Sequence, residues 1–211
     1  MGYNVSPGLT ASKDSLWQNE APFHREARTV AGMDEAGRGP LAGPVCAACV
    51  ILSPKDMIHG LRDSKKLSAK KREVLAREIR SKALAYSIAF ASVEEVDSLN
   101  ILGATMLAMK RALEGMPMIP ELVLVDGNKV PDWDGDCRPV IGGDDLMPSI
   151  AAASILAKVQ RDHIMELIAV EDPRYGFEIH KGYGTRMHYL ALDTYGESIF
   201  HRKAFLRRWK R

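Results

Sequence analysis

Apolar and polar positions divide the chain into short unbroken apolar runs and longer stretches of helical period. Val30, Ala31 and Met33 form one short run, and residues 45–52 (Val-Cys-Ala-Ala-Cys-Val-Ile-Leu) form a second with no polar interruption; each has the length of a strand. Gly37, Gly39, Pro40, Gly43 and Pro44 lie between them, the residues of a turn connection. Ser68 is placed to cap a helix whose apolar face carries Val74, Leu75 and Ile79 and whose other face is Lys, Arg and Glu. Residues 85–92 have strand character and 93–97 read as a short acidic turn. Leu99, Leu102, Met106, Met109 and Leu113 recur at helical spacing, as core methionines do. Residues 121–126 are a continuous apolar run closed by Asp126, the pattern of a strand buried on both faces, and Gly127-Asn128 stops it. A short strand at 139–141, an alanine-rich helix over 148–170, and helices over 183–195 and 198–210 complete the chain. Early strands followed by alternating helix and strand predict an α/β domain with a mixed sheet flanked by helices.

Residues 1–28 mix Gly, Pro, Ser, Asn and charge without periodicity, which predicts a loose arm with a helical turn near 15–18. Residues 29–211 then make a single domain, since 211 residues at 46% hydrophobic and 27% charged suit one core. The formal net charge of +2 identifies no partner; the basic clusters Lys65-Lys66, Lys70-Lys71-Arg72, Arg202-Lys203 and Arg207 to Arg211 are compatible with phosphate contacts or with plain solvated surface. Three cysteines and no signal-peptide pattern point to a reducing, cytoplasmic setting. Cys46 and Cys49 form a C-x-x-C, but three residues apart on a strand places them on opposite faces, so they read as structural thiols and not as metal ligands. No apolar run reaches the ~18 residues of a membrane span.

The candidate chemistry is carboxylate chemistry. Asp34 and Glu35 end the first apolar run, directly ahead of the glycine-rich connection, where backbone N–H groups can be approached closely by a ligand. Alone, an Asp-Glu pair in a turn is usually solvated, and Asp126-Gly127 is a common turn dipeptide. There is no histidine or cysteine cluster suited to zinc, whereas oxygen-only ligands suit Mg²⁺ or Mn²⁺.

Asp34-Glu35-Ala-Gly37-Arg38-Gly39 resembles the signature of type 2 ribonuclease H, in particular bacterial ribonuclease HII. Further matching blocks follow in chain order: Asp63-Ser-Lys65-Lys66-Leu67, Val125-Asp126-Gly-Asn128, Gly143-Asp144, residues 152–162 and His180-Lys181-Gly-Tyr183-Gly-Thr185. The likeness spans residues 29–205. It implies the ribonuclease H-like fold, a five-stranded mixed sheet flanked by helices with a helical C-terminal segment, in which strand one lies beside strand four and so brings Asp34 to Asp126.

The resemblance also implies residue roles. Asp34, Glu35 and Asp126 match metal ligands for Mn²⁺ or Mg²⁺, and Asp144 matches a fourth catalytic acid. Gly142 stands where lysine is usual and Asp145 where serine is usual, so Asp144 and Asp145 compete for that place, with Asp144 preferred. Gly37, Arg38, Gly39 and Tyr183 match the ribose-reading elements, the tyrosine packing on the deoxyribose that follows the ribonucleotide, although a tyrosine between two glycines could also be a plain turn aromatic. Lys65 and Lys66, with Lys181 less firmly, match phosphate contacts, and Asp162 matches a supporting ion-pair partner. Ala204 replaces the usual serine and receives no role. The implied activity is an endoribonuclease acting as a monomer on the RNA strand of RNA–DNA hybrids and 5′ of single ribonucleotides in duplex DNA, leaving 3′-hydroxyl and 5′-phosphate ends. Two other classes stay open: a hybrid-binding module without activity, and a metal-dependent nuclease or recombination enzyme that cuts DNA lacking ribose.

Overall fold

Strand β2 (Val45–Ile51) is buried along its whole length, as expected of an apolar run that must be covered on both faces. It pairs antiparallel with β1 (Val30–Ala36) on one side and with β3 (Ala85–Ala91) on the other. On its far side β1 pairs parallel with β4 (Leu122–Asp126), which pairs parallel with β5 (Asp136–Val140), so the sheet order is β3-β2-β1-β4-β5. This is the computed structural model of the chain, and it describes residues 15–207 and Trp209.

Alternation along β2 divides the core. Cys46, Ala48 and Val50 face one side, where α3 (Ala69–Lys82) and α5 (Pro148–Glu171) pack. Val45, Ala47, Cys49 and Ile51 face the other side, against α4 (Val93–Glu114). The two cysteines of the C-x-x-C thus diverge through the sheet, and burial pushes both thiols far up, as inert core groups. A third apolar cluster joins the far half of α5 to α6 (Phe177–His180), α7 (Arg186–Tyr195) and α8 (Lys203–Leu206). Among the described residues, no helix is long and apolar enough to cross a membrane.

Several elements depart from the sequence reading. Residues 1–14 lie outside the described residues; the helical turn expected near 15–18 is present as α1 (Ser15–Glu20), but the expected loose arm continues into a further helix, α2 (Phe23–Glu26). Leu16 joins the core, and the buried Glu20 carboxylate accepts from Ser149 N at 3.1 Å and Ser149 Oγ at 2.5 Å. That carboxylate does for α5 what a local cap would, since Met147 at its N-cap offers no side-chain acceptor. The expected acidic turn at 93–97 is instead the start of α4, where Ser92 and Glu95 form a capping box. The kink comes later, at Asn100 (φ 61°), whose side-chain oxygen accepts from Leu102 N and Gly103 N and so recaps the second half. α7 starts only at Arg186, capped by Thr185. The expected helix over 198–210 is confined to α8: residues ahead of it run alongside the loop after β1, with an Ala42–His201 bridge and Gly43 N donating to Phe200 O at 2.9 Å. Arg208, Lys210 and Arg211 lie outside the described residues.

Gly32 sets how closely β1 and α5 approach. A Cβ there would lie 2.1 Å from both Ile150 N and Ser149 C, atoms of backbone that cannot swing aside. Gly32→Ala is therefore expected to cost about 3 kcal/mol, the upper part of the range for overpacking, and to lower Tm by about 10 °C in thermal unfolding.

Candidate active site

Parallel strands present their C-terminal ends on one side of a sheet, and there β1 and β4 deliver their acids. The last registered pair is Met33 with Val125, so Asp34 and Asp126 follow side by side, although 92 positions apart in sequence. A third acid arrives from the 3-10 turn Gly143–Asp145 just beyond β5. That turn is tied to β4, because Asp126 Oδ1 accepts from Gly143 N at 2.7 Å. One oxygen each from Asp34, Asp126 and Asp144 then lie within 4.8 Å of one another. Asp145, the alternative to Asp144, is turned away and pairs with Lys66.

Asp34 is 5% exposed. Burial, then the charges of Glu35 and Asp126, push its carboxyl well above the usual range, against the pull of the Ser154 hydroxyl and the Glu35 N–H at 2.7 Å. Ser154 sits on α5 and also hydrogen-bonds Ser64 at 3.0 Å, which ties the helix to the turn carrying Lys65 and Lys66. Burial likewise raises Asp126. Asp144 is pushed up to about 6 by burial and by the charges of Asp126 and Asp63. Lys65 answers them: burial works against its charge, but Asp63, Asp34, Asp144 and Asp126 together raise its pKa. Glu35 stands at the edge of this group, and burial, with the charge of Asp126, raises its carboxyl against the pull of Arg38. Its carboxylate is outside the group of three and is turned toward Arg38 Nη1, at 3.4 Å.

The loop after β1 borders a cleft of about 590 Å³ lined by Glu35, Gly37, Arg38, Gly39, Lys65 and Tyr183, among others. Tyr183 is 43% exposed, close to Gly39, with Lys158 Nζ 5.9 Å from its ring centre. Lys158 also pairs with Asp162 at 2.7 Å, and Arg72 stands 4.0 Å from the same carboxylate. Lys181 is engaged by Glu166 at 2.6 Å, so it offers less to a phosphate than Lys65 does.

Three buried histidines fix the Tyr183 segment, and their tautomers follow from their partners. His188 Nδ1 faces the Tyr183 carbonyl at 3.0 Å and must carry a proton, which leaves Nε2 to accept. His201 Nδ1 accepts from Ser198 N–H, so its own Nε2–H donates to His188 Nε2 at 2.9 Å. Burial lowers both to about 4, keeping the pair neutral. His180 Nε2 faces Tyr175 O and its Nδ1 accepts from Gly182 N–H.

Sequence reasoning assigned nothing to Ser154 or Arg161, and it read Arg202, together with Lys203, as part of a basic cluster for phosphate contacts or solvated surface; burial of Arg202 against backbone carbonyls overturns that reading. Both arginines are fully buried and, among the described residues, form no ion pair; their guanidiniums end on backbone carbonyls. Gly37 shows the fit: at φ 96°, a Cβ would sit 2.1 Å from Arg161 Nε. The sequence signal was the placement of all three within matching blocks or beside His201, with no local pattern to indicate what they do.

An oxygen-only set whose members are raised by burial and mutual repulsion fits a hard divalent cation. Because the folded pKa values lie above the unfolded ones, these acids favour the metal-free fold below pH ~4 and lose that contribution as pH rises through the folded values, about 6 for Asp144. Asp34→Asn is expected to raise the Tm of EDTA-treated protein at pH 7.5 by about 5 °C. Saturating Mg²⁺ or Mn²⁺ is expected to raise the wild-type Tm more at pH 7.5 than at pH 5, read by thermal unfolding.

The Ribonuclease HII family model matches residues 31–209. The Ribonuclease HII of Verminephrobacter eiseniae (strain EF01-2) is 57% identical over 184 residues, 87% of this chain and 88% of that protein. The crystal structure of the ribonuclease H2 from Pyrococcus horikoshii OT3 aligns with a TM-score of 0.69 at 24% identity, over 83% of this chain and 93% of that one. That of Bst-RNase HIII in complex with Mn²⁺ aligns at 0.64 and 17% identity, over 84% and 67%. The last two likenesses show the fold, while the family model and the bacterial relative show the kinship: this chain belongs to the ribonuclease HII family.

Proposed function

We propose that this ribonuclease H endonuclease hydrolyses its substrate at the three-carboxylate corner, with Asp34, Asp126 and Asp144 as cation ligands and Glu35 as a fourth acid at its edge. The substrate is the RNA strand of an RNA–DNA hybrid, and the finer reading adds single ribonucleotides embedded in duplex DNA, nicked on the 5′ side to leave 3′-hydroxyl and 5′-phosphate ends. The carrying observation is the convergence of three acids within 4.8 Å beside the cleft that holds Arg38, Gly39, Lys65 and Tyr183.

The chemistry supplied by a divalent cation in such a site is Lewis-acid activation of water and of the leaving oxygen at phosphorus. Everything else falls to the chain. Ser154 and the Glu35 N–H hold Asp34 in place and favour its ionised form. The Gly143 N–H does the same for Asp126. Lys65 neutralises the approaching phosphate, and Lys66, pinned to Asp145, adds charge at the rim. Gly37, Arg38 and Gly39 present main chain to the 2′-hydroxyl, the group that separates RNA from DNA. Tyr183 offers a ring face against which the next sugar packs, where an added hydroxyl finds no room. A Mn²⁺ or Mg²⁺ requirement both fit the oxygen ligands, and the Mn²⁺ complex of the similarly folded Bst-RNase HIII supports the first. We read the protein as a cytoplasmic monomer; the three free cysteines support that compartment.

Incubation with a duplex holding one ribonucleotide is expected to give a single nick 5′ of the ribose only when Mn²⁺ or Mg²⁺ is present; cutting without metal, or of the all-DNA duplex, would favour another nuclease class. Asp126→Asn is expected to keep hybrid affinity within about threefold while lowering kcat by at least about 100-fold, because binding rests on phosphate contacts and chemistry on the carboxylates. Parallel binding and turnover measurements check the division. Tyr183→Ala should instead narrow the preference for the RNA-to-DNA junction.

A further inference from the structure

Arg202 is 0% exposed, and four of its N–H groups are spent on one loop. Nη2 donates to Gly37 O at 2.7 Å, Nη1 to Arg38 O at 3.2 Å and Pro40 O at 2.8 Å, and Nε to Gly43 O at 2.9 Å. Arg161 takes neighbouring carbonyls from the opposite side, Ala42 O at 3.1 Å and Pro44 O at 3.0 Å. Burying a guanidinium costs several kcal/mol unless its donors are satisfied. The carbonyls must all be turned inward to satisfy it.

That inward turn has an outward consequence. In a trans peptide the N–H of a residue points opposite to the carbonyl before it, and none of the described peptide bonds is cis. With Gly37 O and Arg38 O on the guanidinium, the N–H groups of Arg38 and Gly39 face away from it. Neither donates to any acceptor among the described residues. Both belong to residues lining the cleft, where a Cβ on Gly39 would lie 3.7 Å from Tyr183 Cε1.

Resting on the proposed function, we propose that Arg202 is a positioning residue: by holding the Gly37 and Arg38 carbonyls it aims the next two N–H groups at the ribose 2′-hydroxyl, and so sets ribose selectivity without touching substrate. Its four donors reach carbonyls spread over seven residues, which the fork of a guanidinium spans and a lysine ammonium does not. Charge alone is therefore insufficient.

The test compares wild type with Arg202→Lys on a duplex holding one ribonucleotide and on a hybrid with a continuous RNA strand, alongside the Tm increase with Mn²⁺ alone. Arg202→Lys is expected to lower kcat/KM at the single ribonucleotide by at least tenfold, more than on continuous RNA, with the Mn²⁺ effect on Tm retained. A folded variant with wild-type kcat/KM on both duplexes, or with equal losses on both, overturns the proposal. Should the variant not fold, amide NMR on Asp126→Asn protein labelled with ¹⁵N-glycine and ¹⁵N-arginine decides. The Arg38 and Gly39 signals are expected to move with the ribonucleotide duplex and not with its all-deoxy counterpart; identical responses to the two overturn it. A wild-type enzyme that leaves both RNA-containing duplexes intact removes the functional reading itself, and this proposal with it.

Discussion

The parallel pairing of β1 with β4 is the constraint from which the site follows. It sets Asp34 beside Asp126 at the ends of two strands too well buried to shift, and the turn after β5 adds Asp144. Three carboxylates about 4 Å apart make three repulsive pairs of roughly 4 kcal/mol each at an effective dielectric of 20, more in all than three hydrogen bonds to charged groups return at roughly 1.5–3 each. The N–H groups of Glu35 and Gly143 and the hydroxyl of Ser154 therefore orient these acids without relieving them. The corner is kept unrelaxed by the strongest-packed part of the molecule, with a single ammonium, Lys65, drawn toward it. Such a site is poised for divalent cations because its acids stay raised even with Lys65 drawn toward them.

Rigidity next to that corner comes from charges of the other sign, used in an unusual way. Arg161 and Arg202 are buried without carboxylate partners and take up carbonyls of the loop that follows Glu35. Like charge between the two guanidiniums, after burial, lowers Arg202 to about 9, still well above neutrality. The neutral His188–His201 pair extends the same scaffold to the Tyr183 carbonyl. Main chain bordering the cleft is thus braced from behind on each side.

What the sequence made legible was the part governed by local pattern. Apolar runs located β1, β2 and β4, period two sent Cys46 and Cys49 to opposite faces, and the acids that close the first and last of these runs, Asp34 and Asp126, come together in the fold. Family likeness supplied the pairing of β1 with β4, which no periodicity contains. Glu35 and Asp145 show the limit of motif reading, because each side chain's direction depends on a nearby cation, Arg38 for one and Lys66 for the other. Glu20 was invisible for a different reason: its partner, Ser149, lies 129 positions away, so an acid in an apparently unstructured segment gave no sign that it ends a helix. Arg161 was equally silent, and Arg202 was misread as a surface cation, since carbonyls, their actual partners, are present at every residue.

The distance between the loop and its brace also orders events in time. Gly37 and Arg202 are 165 positions apart, so a growing polypeptide leaving the ribosome displays its glycine-rich loop long before the guanidinium that shapes it has been translated. Until Arg202 is made, the Gly37 and Arg38 carbonyls have no guanidinium to face, so the final shape of this loop waits on the translation of nearly all the described residues.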